Sequence, residues 1–81
     1  MVHVTLGGPL QTAAGGETEF EVEAENIQQL LDRLGDVCPR LKPVLQKGVA
    51  VAVDGRVFRG AWLHPIRPDS EVFILPPLQG G

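Results

Sequence analysis

The chain has 81 residues, 43% of them hydrophobic and 21% charged, with a formal charge of −3. This length holds one domain, near the size that buries only about 60% of its unfolded surface. No apolar stretch nears the roughly 20 residues that span a bilayer, and no basic segment followed by an apolar core opens the chain, so a cytoplasmic protein is expected. Cys38 stands alone beside two histidines, which leaves no internal disulfide and no metal-ligand spacing. The basic residues are scattered, tyrosine is absent and the pI is about 5.2, so nucleic acid is a poor partner. Charge is unevenly divided along the chain. Through Asp36, seven acids face only Arg33, whereas six bases outnumber three acids in the remainder. Such asymmetry either steers a protein partner or reflects two ordinary solvated faces.

In chain order, Val2, Val4 and Leu6 alternate with His3 and Thr5, and Phe20, Val22 and Ala24 alternate with Glu19, Glu21 and Glu23. Both segments read as half-buried strands. Between them, Gly7 to Gly16 holds four glycines and Pro9 and reads as a long hairpin loop. It is not a phosphate loop, because it lacks the lysine and hydroxyl of that motif and precedes a strand pattern rather than a helix. A helix follows, capped by Asn26 with Gln29 in the capping-box position, its stripe formed by Ile27, Leu30, Leu31 and Leu34. Gly35 suits a left-handed residue ending that helix, and Pro39 and Pro43 predict short turns from Val37 to Lys47. Val49 to Val53 predict a strand joined through Asp54 and Gly55 to Arg56, Val57 and Phe58, a second hairpin. Val72 to Leu75 are four consecutive apolar residues, the pattern of a central strand covered on both faces.

The order β, β, α, β, β and a late apolar strand predict an α+β roll with a mixed sheet of about four to five strands and one main helix across it. Its order and length resemble the β-grasp fold. Residues 1–75 form the expected domain, and 76–81 an extended tail that could reach roughly 20 Å at about 3.3 Å per residue. Pro76 and Pro77 favour an extended start, Leu78 offers an apolar anchor, and Gln79 leads to Gly80 and Gly81. Lacking Cβ atoms, the two glycines can enter a narrow channel and let a nucleotide approach the terminal carboxylate. The plain alternative is a frayed end.

The terminal strand running into Leu75, Pro76, Pro77, Leu78, Gln79, Gly80 and Gly81 resembles that of the ThiS/MoaD sulfur carriers, which are ubiquitin-like. The resemblance covers the whole chain in element order and is specific in motif from Asp69 to Gly81. It implies a carrier that binds no cofactor and is not itself an enzyme. A ubiquitin-activating-type adenylating enzyme would use ATP and Mg to adenylate Gly81, and a sulfur donor protein would convert it to a thiocarboxylate. The acceptor would be a precursor of molybdopterin or of the thiamine thiazole, with a synthase large subunit as a further partner. The Pro-Pro tail is slightly more similar to that of the molybdopterin synthase small subunit. Two other readings stand beside it: a ubiquitin-like modifier forming isopeptide bonds through Gly81, and a non-catalytic binding subunit.

Other residues invite plainer readings. Cys38 reads as a small buried apolar residue, Trp62 as closing the end of the core or anchoring a partner, and His64 as a loop residue. Phe58 and Leu75 could join Leu78 in an apolar docking patch beside the tail, or belong to the core.

Overall fold

The computed structural model of the chain describes residues 1–60 and 62–76. The alternation of the first segment becomes strand β1, Val2–Leu6, with Val2, Val4 and Leu6 buried. It pairs antiparallel with β2, Glu19–Val22, and parallel with β5, Glu71–Leu75. On the other side of β5 lies β3, Ala50–Val53, which forms a hairpin with β4, Arg56–Phe58. The five-stranded sheet therefore has the order β2-β1-β5-β3-β4, with β5 at its centre. Asp54 and Gly55 join β3 to β4 with φ of 49° and 86°. Two consecutive left-handed residues match the twist of a tight hairpin, and an aspartate-glycine pair adopts them at little steric penalty. Asp54 also ties the hairpin to the sheet centre, because its Oδ1 accepts the Glu71 N–H at 3.0 Å and its N–H donates to the Glu71 carbonyl at 2.9 Å.

One face of the sheet is covered by helix α2, Ile27–Val37, whose Ile27, Leu30 and Leu34 are buried. Every amide of its first turn has an acceptor. The Gln29 N–H donates to Asn26 Oδ1 at 2.8 Å, and the Leu30 N–H to the Asn26 carbonyl at 3.0 Å. The Ile27 and Gln28 amides donate to the carbonyls of His64 and Trp62 at 3.2 and 2.8 Å. Gln29 returns its Oε1 to the Glu25 N–H at 3.0 Å, one residue before the usual capping-box donor. Because these amides would otherwise be orphaned, the irregular stretch after β4 is held against the start of α2 by the helix's own needs. The Ile66 N–H, donating to the Glu25 carbonyl at 2.9 Å, adds to that hold.

Several local expectations change. The Gly7 to Gly16 segment is not all loop: it contains α1, Gly8–Ala13, with Pro9 in the first turn and Leu10 buried. Proline is tolerated there because the first-turn amide needs no intrahelical partner. Gly35 does not end α2. It is buried inside the helix, where an added Cβ would lie 3.2 Å from Lys42 Cγ, and the helix runs on to Val37 before Pro39 stops it. The expected turns after it form a 3-10 turn, Pro39–Leu41, and the short helix α3, Lys42–Lys47. Both use their prolines as starting rather than breaking residues. Strand β2 stops at Val22, short of Ala24. Cys38 is buried and unpaired. The central strand β5 is covered on one face only, for Val72 and Ile74 are buried while Phe73 is 43% exposed.

Leu30 has no exposed surface and belongs to the cluster that joins α2 to β1, β3 and β5. Leu30→Ala should destabilise the domain by about 2 to 5 kcal/mol, read by chemical denaturation; an unchanged midpoint would contradict this core. Asn26→Ala, which removes only the cap, should cost about 1 kcal/mol in the same measurement.

Candidate functional site

Of the residues singled out for the tail, Pro76 directly follows β5, while Pro77, Leu78, Gln79, Gly80 and Gly81 lie outside the described residues. The geometry around the exit is set by Gly7. Its N–H donates to the Ile74 carbonyl at 2.8 Å, carrying the β1–β5 ladder past the end of β1. A Cβ on Gly7 would stand 3.2 Å from that carbonyl, 3.3 Å from Leu75 Cδ2 and 3.6 Å from Pro76 Cδ. A side chain here would press on both the strand-end carbonyl and Leu75. Gln11 Nε2 donates to the Leu6 carbonyl at 2.9 Å and anchors α1 beside the same strand end.

Cross-strand partners share a face, so the register shows what surrounds the exit. Opposite the helices, the first outward row runs Glu21, His3, Glu71. The second runs Glu19, Thr5, Phe73, Ala52, Val57, and the third pairs Leu75 with Ala50. The end of this face nearest the tail is apolar. Phe73 and Val57 are 43% and 54% exposed and Leu75 is half-buried, while Ala50 and Ala52 are buried between their neighbours. Toward β2 the face is acidic, and His3 Nε2 lies 2.6 Å from Glu19 Oε1.

Phe58 and Leu75 do not form one patch. Phe58 pairs with Val51 and packs against the core on the helix-side face, whereas Leu75 pairs with Ala50 on the outer face. The difference follows from the two-residue period of a strand, which puts neighbours of one β3 residue and the next on opposite sides. Phe58 instead stacks on His64, ring centroids 4.0 Å apart, at the edge of the sheet. Trp62 does not close the core either: it is 40% exposed and, with Leu31, Gly35, Leu45 and Asp36, lines a groove of about 660 Å³ between α2 and α3. That groove opens on the helix side, away from the outer sheet face. Among the described residues no three His, Cys, Asp or Glu side chains cluster as metal ligands. No helix among them is long and apolar enough to cross a membrane.

Val57 and Phe73 were not separable from core residues in the sequence, because β5 reads as uniformly apolar. The signal that exposes them is the Asp54-Gly55 turn, which aligns Ala52 with Val57, together with the parallel placement of β5 beside β1.

The model of the ThiS family matches residues 4–81. No curated protein matches the chain. Among solved structures, small archaeal modifier protein 1 from Methanosarcina acetivorans superposes with a TM-score of 0.80 at 27% identity, covering 99% of this chain and 95% of that one. The BexX/CysO complex of Amycolatopsis orientalis contains a chain matched at a TM-score of 0.79 and 22% identity over 100% of both. The complex of subunits 1 and 2 of molybdopterin-converting factor from Helicobacter pylori contains one matched at 0.70 and 24% identity, over 99% of this chain and 97% of that one. These likenesses extend over the whole β-grasp roll.

Gly7→Ala tests the close approach at the exit. The added methyl must push Leu75 or the Ile74 carbonyl aside, and should cost about 1 to 3 kcal/mol by overpacking. Thermal or chemical unfolding checks it, and a variant as stable as the parent would show that the strand end tolerates the extra atom.

Proposed function

The chain is a member of the ThiS family, and from that premise we propose that it is a sulfur carrier whose working group is the carboxylate of Gly81. The observation that carries this reading is the placement of β5. A strand held centrally between β1 and β3 leads through Leu75 and Pro76 toward Leu78, Gln79, Gly80 and Gly81. Residues 76–81 would act as an extended tail, entering an adenylating enzyme while the β-grasp domain stays outside. Two terminal glycines suit a narrow channel, and the Pro76-Pro77 pair reduces the entropy lost on threading.

The chemistry explains the need for a partner. A free α-carboxyl group titrates near 3.5, so at neutral pH it is an anion and a poor acyl donor. The adenylating enzyme, using ATP and Mg, would join the carboxylate oxygen to the α-phosphorus and release pyrophosphate. A persulfide or sulfide supplied by a sulfur donor protein would then attack the carbonyl carbon and expel AMP; a reductant would cleave any acyl disulfide. The resulting thiocarboxylate would pass its sulfur to a precursor of molybdopterin or of the thiamine thiazole, with a synthase large subunit holding the acceptor. In this scheme the chain is a cytoplasmic co-substrate, and covalent activation divides one difficult step into easier ones.

A second reading is supported by the 27% identity to small archaeal modifier protein 1. A carboxylate activated in the same way could be captured by a lysine amine, giving an isopeptide-linked conjugate and releasing AMP. The readings part at the product. Incubation with the cognate adenylating enzyme, ATP and a sulfur donor should raise the intact mass by the difference between one sulfur and one oxygen, and deletion of Gly81 should abolish the gain. Conjugates on a denaturing gel that vanish with Gly81 would favour the modifier. Full activity of an assembly lacking Gly80 and Gly81 would overturn both and leave a binding subunit.

A further inference from the structure

We propose that the cavity on the helix side of the β4 edge is a docking pocket for a carboxylate side chain, carried on an acidic segment of a partner protein. It lies away from the tail: Val53, on its wall, pairs with Val72 near the start of β5, whereas Pro76 departs from the other end of that strand. The cavity measures about 270 Å³, and Arg56, Phe58, His64, Arg67 and Ser70 line it together with Asp54. Two parts of the fold bring these residues together. Arg56 and Phe58, two positions apart on the edge strand, pair with the buried Val53 and Val51 and so share the helix-side face. His64 and Arg67 come from the segment held at the start of α2, where the Ile27 N–H donates to the His64 carbonyl at 3.2 Å and the Ile66 N–H to the Glu25 carbonyl at 2.9 Å.

The walls are set before any partner arrives. The Arg67 N–H donates to Ser70 Oγ at 3.2 Å and the Ser70 N–H returns to the Arg67 carbonyl at 3.0 Å, which closes the turn that carries Arg67. The His64 ring stacks on Phe58, and Arg56 Cζ lies 6.0 Å from the centroid of the same phenyl ring. Neither Arg56 nor Arg67 has an ion-pair partner among the described residues. Asp54 is the one carboxylate on the wall, and its Oδ1 already accepts the Glu71 N–H; Asp69 and Glu71 do not line the cavity. Two guanidinium groups against one carboxylate leave a single positive charge, which a single carboxylate balances and a phosphate dianion would exceed. A guanidinium also presents the planar fork of donors that a carboxylate accepts. Ser70 is 4% exposed and its oxygen accepts from Arg67, so its hydroxyl hydrogen is left to donate to an anionic oxygen. The Phe58 ring and Val53 give the cavity an apolar wall that suits the methylene stem of a glutamate better than a bare inorganic anion. On a chain of net charge −3, this is a local basic site that an acidic segment can find and orient on.

Titration of the full chain with a hexaglutamate peptide, followed by backbone amide shifts, tests the pocket. Saturable shifts should centre on Arg56, His64, Arg67 and Ser70, weaken as salt screens the attraction, and be absent with hexaglutamine. Arg56→Gln with Arg67→Gln should weaken binding about tenfold. Arg33→Gln with Arg40→Gln removes the same charge outside the cavity and should bind like the parent. Arg56→Lys with Arg67→Lys keeps the charge but loses the fork, and should fall between the two. Unchanged circular dichroism of each variant excludes misfolding as the cause. Shifts that do not saturate, equal losses in the two glutamine pairs, or inorganic phosphate binding more tightly than the peptide would overturn the proposal, the last by marking a small-anion site instead. Gly81 takes no part in this binding, so its presence or absence here leaves the carrier reading to its own test.

Discussion

The parallel pairing of β1 with β5 is the interaction on which the rest of the molecule depends. It joins the first strand to the last across the whole sequence, aligning Val4 with Val72 and Leu6 with Ile74, and these four side chains are almost completely buried. Non-local pairing of this kind must overcome the entropy of closing a long loop. The return comes from apolar burial: the same side chains meet Leu30 and Leu34 of α2 in one cluster. By taking the centre of the sheet, β5 also gives the chain a rigid final element from which to leave. The proposed carrier role would need that combination, a terminus that enters another protein and a body that does not unravel when it does.

The two faces of the sheet divide the work. The inner face is covered by α2, whose first-turn amides capture the Trp62 and His64 carbonyls and so hold part of the segment after β4 against the helix. Among the described residues the outer face carries no helix, and its composition changes along the strands from carboxylates to exposed aliphatic and aromatic groups. The charge imbalance along the sequence thus has a spatial counterpart. Glu19 and Glu21 line the β2 edge, and Arg56 lies on the β4 edge at the opposite end of the strand order. An asymmetric field of this kind orients an approaching partner more than it stabilises the fold.

Much of this was legible in the residues. The alternation of β1, the Asn26 cap with Gln29, the Asp54-Gly55 turn and the stripe of α2 each have a local cause that no tertiary contact overrides. What misled was chemistry that serves more than one structure. Pro9, Pro39 and Pro43 read as breakers yet stand in first turns, where a missing amide is harmless. Gly35 reads as a terminator yet supplies room for Lys42 against the helix. The apolar run of β5 suggested two covered faces, but an apolar side chain facing outward is indistinguishable in sequence from one facing a helix. Phe73 shows the difference only when its cross-strand partners Thr5 and Ala52 are known. For the same reason Phe58 and Leu75, grouped by their nearness to the tail, separate once the register is counted.

The central claim, that partner enzymes work on the Gly81 carboxylate, is tested most directly by ATP–pyrophosphate exchange with the cognate adenylating enzyme. The account predicts exchange that depends on this chain and disappears when one alanine is appended after Gly81, although the extended chain still folds and still binds. Exchange undiminished by that extension would contradict it.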